Sequence, residues 1–149
     1  MILVGVDPGK VTGISVWWSP HHWGSVIKRS PLDTAEVEHS AVTKTLRRML
    51  DGERPTLIAV ERYVQNARKT HQPEANEVIG AVKSLADDLT VRCVYQSPSP
   101  AQKIGSTARL RSLGFHVSTK DGHANSATAH MLLLMATFHP TVYADLIGV

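Results

Sequence analysis

The stretch VGVDPGKVTGISVWW, residues 4 to 18, confines the chain to few folds. An apolar run ends on Asp7, turns at Pro8 and Gly9, and resumes as a second apolar, β-branched run. Such a pattern reads as two buried strands joined by a tight turn, with an acid at the mouth of the hairpin. The motif has an echo. TLIAVE, residues 56 to 61, is another buried run that ends on an acid, Glu61. In α/β sheets functional groups gather outside the carboxyl ends of strands, and both acids occupy that position. Either one alone is more simply a turn cap or the first exposed residue past a strand; the two together, closing the two most buried runs, point to a site. Two carboxylates at adjacent strand ends repel each other unless a cation lies between them, which suggests a hard divalent ion, Mg²⁺ or Mn²⁺, with oxygen ligands.

The remaining pattern places these strands in an α/β fold. Residues 2 to 7, 11 to 18 and 23 to 28 are expected to form an antiparallel three-strand meander. Residues 34 to 50 carry Val37, Ala41, Leu46, Met49 and Leu50 near helical spacing, with Asp33 as N-cap and Gly52 as stop. A helical stripe runs from Pro73 to Leu89, followed by the strand TVRCVYQ, a Pro-Ser loop SPSPAQ, a short basic helical segment around 105 to 113, and a terminal helix from about 123 to 138. At 149 residues and 42% hydrophobic content, one domain spanning 1–149 is expected. No apolar stretch reaches the length of a membrane span, and a lone cysteine, Cys93, forms no internal disulfide. A cytoplasmic protein without a membrane partner is the expectation. The net charge of +3 is unevenly spread: between Arg92 and Lys120 lie five Lys or Arg and no acid, and Arg62, Arg68 and Lys69 follow Glu61. That clustering suits a polyanionic partner, though a solvated basic face accounts for it nearly as well.

GVDPGKVTGISVW resembles the first strand and hairpin of the RuvC family of Holliday-junction resolvases, in which an apolar residue and Asp-Pro-Gly are followed shortly by Thr-Gly. The resemblance continues in order through AVERYV, EANEVIGAVKSLA, YQSPSPAQK and KDGHANSATAHML. It implies an RNase H-like fold, a five-stranded mixed sheet with helices on both faces, acting as a homodimer that nicks four-way DNA junctions in pairs. It further implies Asp7 and Glu61 as the first two metal ligands and His123, on the terminal helix, as the third. The family's last ligand is an acid three residues on, and here that position is Ser126. A hydroxyl is a poorer ligand for Mg²⁺ than a carboxylate. Asp121, just ahead of the helix, could reach the site in its place, and Asn125 could offer a carbonyl oxygen. His130, seven residues after His123, reads as a packed helix histidine.

The chemistry implied is hydrolysis of a phosphodiester with two divalent ions and no small-molecule cofactor. Lys10, Arg68, Lys69, Lys103, Arg109 and Arg111 are candidates for contacts along the DNA backbone, and Tyr63 for stacking on an unpaired base. Other readings remain open: a branched-DNA-binding module weakened at Ser126, or a nuclease of the same fold acting on RNA. Phosphate-binding folds of the actin type, which share the Asp-Gly and Thr-Gly hairpin, need two lobes and more chain than this.

Overall fold

The computed structural model describes residues 1–19, 31–62 and 72–149. Among the described residues the sheet has five strands: β1 (Ile2–Asp7), β2 (Val11–Trp18), β3 (Leu32–Glu38), β4 (Leu57–Glu61) and β5 (Arg92–Gln96), in the order β3-β2-β1-β4-β5. The first three pair antiparallel, whereas β4 and β5 run parallel to β1. The helices are α1 (Val42–Leu50), α2 (Pro73–Asp88), α3 (Pro98–Ile104), α4 (Thr107–Ser112), α5 (His123–Phe138) and α6 (Pro140–Ile147). Among the described residues no helix is long and apolar enough to cross a membrane.

The two-residue period of a strand sorts its side chains between two cores. Ile2, Val4 and Val6 of β1, with Ile14 and Val16 of β2 and Ile58 and Val60 of β4, face α1 and α2. Leu3, Trp17 and Ala59 face the other way, where Met131, Leu132, Leu134 and Met135 of α5 cover them and α4 and α6 close the rim. By the same parity Asp7, Gly13, Glu36, Glu61 and Gln96 all point to the α5 side. They also lie on one rung. Asp7 pairs with Gly13, Gly13 with Glu36, and Glu61 with Gln96, while the Val6–Val60 pair sets Asp7 next to Glu61.

Glycine lets α5 down onto that rung. A Cβ at Gly5 would run into the carbonyl oxygen of Ala127, and one at Gly13 into the carbonyl oxygen of His123. The helix backbone therefore lies directly on the sheet, and the Thr-Gly pair divides its duties. The Thr12 hydroxyl donates to the Gly9 carbonyl at 2.9 Å and closes the β1–β2 turn, while Gly13 makes room for the helix start.

Several expectations need correction. The third strand of the described meander is Leu32–Glu38; the expected strand at 23–28 lies outside the described residues. The helix expected at 34–50 begins only at Val42, after a 3₁₀ turn at His39–Ala41, and Asp33 sits in β3 instead of capping it. Pairing with β2 from Val11 to Trp17 outweighs the loose helical spacing of Val37 and Ala41. SPSPAQ is not a loop: Pro98 opens α3, its fixed φ suiting a first helical turn where its missing N–H has no partner to lose. The basic segment at 105–113 narrows to α4, and α6 was not anticipated.

Candidate active site

Each strand-end acid is held by its own histidine from α5. His123, the first residue of the helix, places Nδ1 2.9 Å from Asp7 Oδ2, and His130, two turns deeper, places Nε2 2.8 Å from Glu61 Oε2. The Asp7 hydrogen bond holds the His123 imidazole above its ordinary pKa, against the opposing effect of burial and with help from the charges of Asp7, Glu36 and Asp121. His123 Nδ1 and Asp7 Oδ2 thus form a hydrogen-bonded pair whose surroundings favour the protonated ring.

The start of α5 is organised from β3. Its N-cap, Gly122, is left-handed at φ 76° and offers no side chain, so the capping acceptor arrives from across the sheet. Glu36 Oε1 accepts the Ala124 N–H at 2.9 Å and the Thr119 hydroxyl at 2.7 Å. Burial alone would raise the Glu36 pKa; those two donors and the nearby His123 charge bring it below the ordinary value. Behind the turn, Asn125 donates to the Val117 carbonyl at 2.8 Å and accepts the Val117 N–H at 3.0 Å.

Two hollows flank this rung. One, of about 310 Å³, is lined by Glu61, Gln102, Ser106, Asn125, Ser126 and His130 among others. The other, of about 490 Å³, is lined by Pro8, Gly9, Lys10, Glu74, Asp121 and His123 among others. Ser126 thus shares a cleft with Glu61, whereas Asp121 shares one with His123. Both amide atoms of Asn125 are committed to Val117, so it tethers the segment ahead of α5.

No protein-family model and no curated protein matches the chain by sequence. Solved structures match its fold. Thermus thermophilus RuvC in complex with a Holliday junction substrate superposes with a TM-score of 0.68 at 19% identity, covering 99% of this chain and 96% of that one. The chain has the RNase H-like fold of the RuvC resolvases. The yeast mitochondrial Holliday junction resolvase matches with a TM-score of 0.55 at 11% identity, over 98% of this chain and 80% of that one. Fowlpox virus resolvase, solved with substrate Holliday junction DNA, gives 0.53 at 10% identity over 91% and 99%.

On this RuvC-type frame the donor chemistry can be tested against a divalent ion. Among the described residues no three His, Cys, Asp or Glu side chains converge to cage a metal. Two carboxylates lie at neighbouring strand ends, one oxygen of each engaged by an imidazole. That set fits Mg²⁺ or a similar ion, which keeps several waters and takes one or two carboxylates together with substrate phosphate oxygens.

The candidate DNA contacts fall into three groups. Lys10, Lys103 and Arg111 are exposed. Arg109 is half-buried and donates to the Tyr143 hydroxyl at 2.9 Å, which joins α4 to α6. Tyr63, Arg68 and Lys69 lie outside the described residues.

Sequence reasoning missed two members of the rung and one bond. Glu36 was hidden because the spacing over residues 34–50 reads as helix, and Gln96 because nothing marks a strand-end glutamine as special. His130 is packed, at 1% exposed, and it also binds Glu61. Its seven-residue spacing from His123 was the available signal.

Proposed function

We propose that this chain, as one nuclease domain over residues 1–149, is a divalent-metal-dependent endonuclease that hydrolyses phosphodiesters in Holliday junctions and related branched DNA. Its cellular setting on this reading is recombination and repair in the cytoplasm. One observation carries the reading: Asp7 and Glu61 stand side by side at strand ends, on the face where α5 supplies a histidine to each. The shared fold with resolvases solved on Holliday junction DNA supports branched DNA as the substrate class.

Asp7 and Glu61 would hold the metal, which when bound supplies Lewis-acid stabilisation of the phosphate and a water of lowered pKa. Asp7 is fixed in the sheet and is held through one carboxylate oxygen by His123. Glu61 approaches from the next strand, with Ser126 across its cleft. Lys10 borders the His123 hollow and is placed to meet a phosphate, while Lys103 and Arg111, with Arg68 and Lys69, would follow the junction arms without reading bases. Tyr63, two residues past Glu61, would stack on an unpaired base at the crossover. Paired nicking needs two copies. Gly80, exposed on α2 with open space where a Cβ would stand, gives a second chain a point of close approach.

The test is incubation of the protein with labelled four-way junction, flap, linear duplex and RNA–DNA hybrid, with Mg²⁺, with Mn²⁺ and with chelator. Metal-dependent nicking of the junction in preference to the duplex is expected. Binding without cutting would replace the reading with a DNA-binding module, and cutting confined to the RNA strand would replace it with an RNA nuclease.

A further inference from the structure

His130 is among the most buried side chains of the protein, on a helix whose other inward positions include Ala127, Met131 and Leu134. A polar ring in such a place costs free energy unless both nitrogens are paired. Here they are. Nε2 meets Glu61 Oε2 at 2.8 Å, and Nδ1 meets the amide of Gln96, itself buried at the end of β5. That amide has one orientation that satisfies all its neighbours. Its nitrogen donates to His130 Nδ1 at 2.9 Å and to the His130 carbonyl at 3.0 Å, and its oxygen accepts the Leu134 N–H at 3.2 Å. The α5 backbone thus fixes the amide, and the amide fixes the ring. With Nδ1 accepting, the ring proton sits on Nε2 and is donated to Glu61.

Of the two strand-end acids, Glu61 needs the more support. Its side chain is longer than that of Asp7 by one rotatable bond and is 21% exposed, against 11% for Asp7. The α5 residue opposite it in the cleft is the neutral Ser126, one turn before His130. We propose that His130, oriented by Gln96, is a positioning residue that aims the Glu61 carboxylate into the cleft facing Ser126. On this inference a buried brace, instead of an acid on α5, makes Glu61 an effective ligand. It rests on the nuclease reading above.

His130→Leu keeps the volume and removes both nitrogens, whereas His130→Gln returns an N–H near the place of Nε2. Four quantities are read: melting temperature, junction affinity without divalent metal, kcat and KM for nicking, and Mn²⁺ affinity of the free protein by calorimetry. The leucine variant should bind junctions as the wild type does and lose roughly 10- to 100-fold in kcat and in Mn²⁺ affinity, with KM little changed. The glutamine variant should recover most of both losses. Unchanged kcat and Mn²⁺ affinity in a folded His130→Leu would overturn the inference, as would a glutamine variant no better than leucine. If His130→Leu does not fold, His130→Gln and His130→Asn carry the test, because the shorter asparagine amide reaches only the place of Nδ1. Active glutamine and impaired asparagine variants of equal melting temperature support the brace, and equal activity overturns it. A wild type that nicks junctions while these variants match it removes the brace alone. A wild type that neither nicks branched DNA nor binds Mn²⁺ removes the nuclease reading, and the brace with it.

Discussion

The two ends of the rung solve the same problem differently. At Asp7 the histidine is 34% exposed, starts its helix and has its pKa raised by the Asp7 hydrogen bond; at Glu61 it is 1% exposed, sits mid-helix and is locked from behind by Gln96. The outer pair is an electrostatic contact open to water and solutes. The inner pair is a fixed hydrogen-bonded arm, whose geometry depends on packing. Burial, more than residue type, decides which task a carboxylate–histidine pair can perform.

Both pairs depend on how low α5 lies, so the largest effect should come from lifting it. Gly5→Ala and Gly13→Ala each force a methyl group against α5 backbone that cannot move without the helix, a cost at or above the upper end of roughly 1–3 kcal/mol. A fall in Tm of roughly 10 °C, with both pairs lost together, is expected in thermal melts. A variant melting within a degree or two of the wild type would mean that α5 rides higher on the sheet.

Ser126→Asp should sharpen the contrast by giving the inner cleft a second carboxylate facing Glu61. We expect several-fold tighter Mg²⁺ binding and faster nicking, whereas the wild type should need more metal or favour Mn²⁺, which tolerates imidazole ligation. Asp121→Asn alters only the hollow shared with His123 and should cost less than Asp7→Asn. Metal titrations of nicking compare the three directly. Asp121→Asn as damaging as Asp7→Asn, with Ser126→Asp inert, would transfer the missing ligand's role to Asp121.

Junction affinity should fall roughly tenfold or more for a fourfold rise in salt, through the exposed cations and not through either pair. Binding isotherms at several salt concentrations check this, and a flat response would point to a different ligand.

The smallest effect is a pH dependence belonging to the outer end alone. His123 has a raised pKa, so its stabilisation is complete below the ordinary value of 6.5 and is lost as pH rises through the higher, folded value. Glu36 has a lowered pKa, so its stabilisation is complete above the ordinary 4.5 and is lost as pH falls through the lower, folded value. Melting temperatures of wild type and Glu36→Gln in chelator should differ by a constant amount between about pH 4.5 and 6.5, where both contributions are complete, and converge in acid. A constant difference down to the lowest pH would detach the Glu36 charge from the start of α5.

How much of this was legible follows from the kind of signal each residue leaves. Asp7 and Glu61 end long apolar runs, so both their strands and their shared place at the strand ends were readable. Glu36 lies on the outermost described strand, half-buried and mostly polar, where period two barely shows and helical spacing competes. The Glu61–His130 bond needs the height of α5 above the sheet, which is set by Gly5 and Gly13. A glycine that makes room for a helix looks in sequence like a glycine in a turn.

The most direct measurement is Mg²⁺-dependent nicking of a four-way junction by wild type and Asp7→Asn, with junction affinity measured in parallel in chelator. The account predicts that the variant binds within about twofold of the wild type, because affinity rests on the cations, and that its nicking falls below detection. Nicking at the wild-type rate by Asp7→Asn would remove the rung from the chemistry and contradict the account.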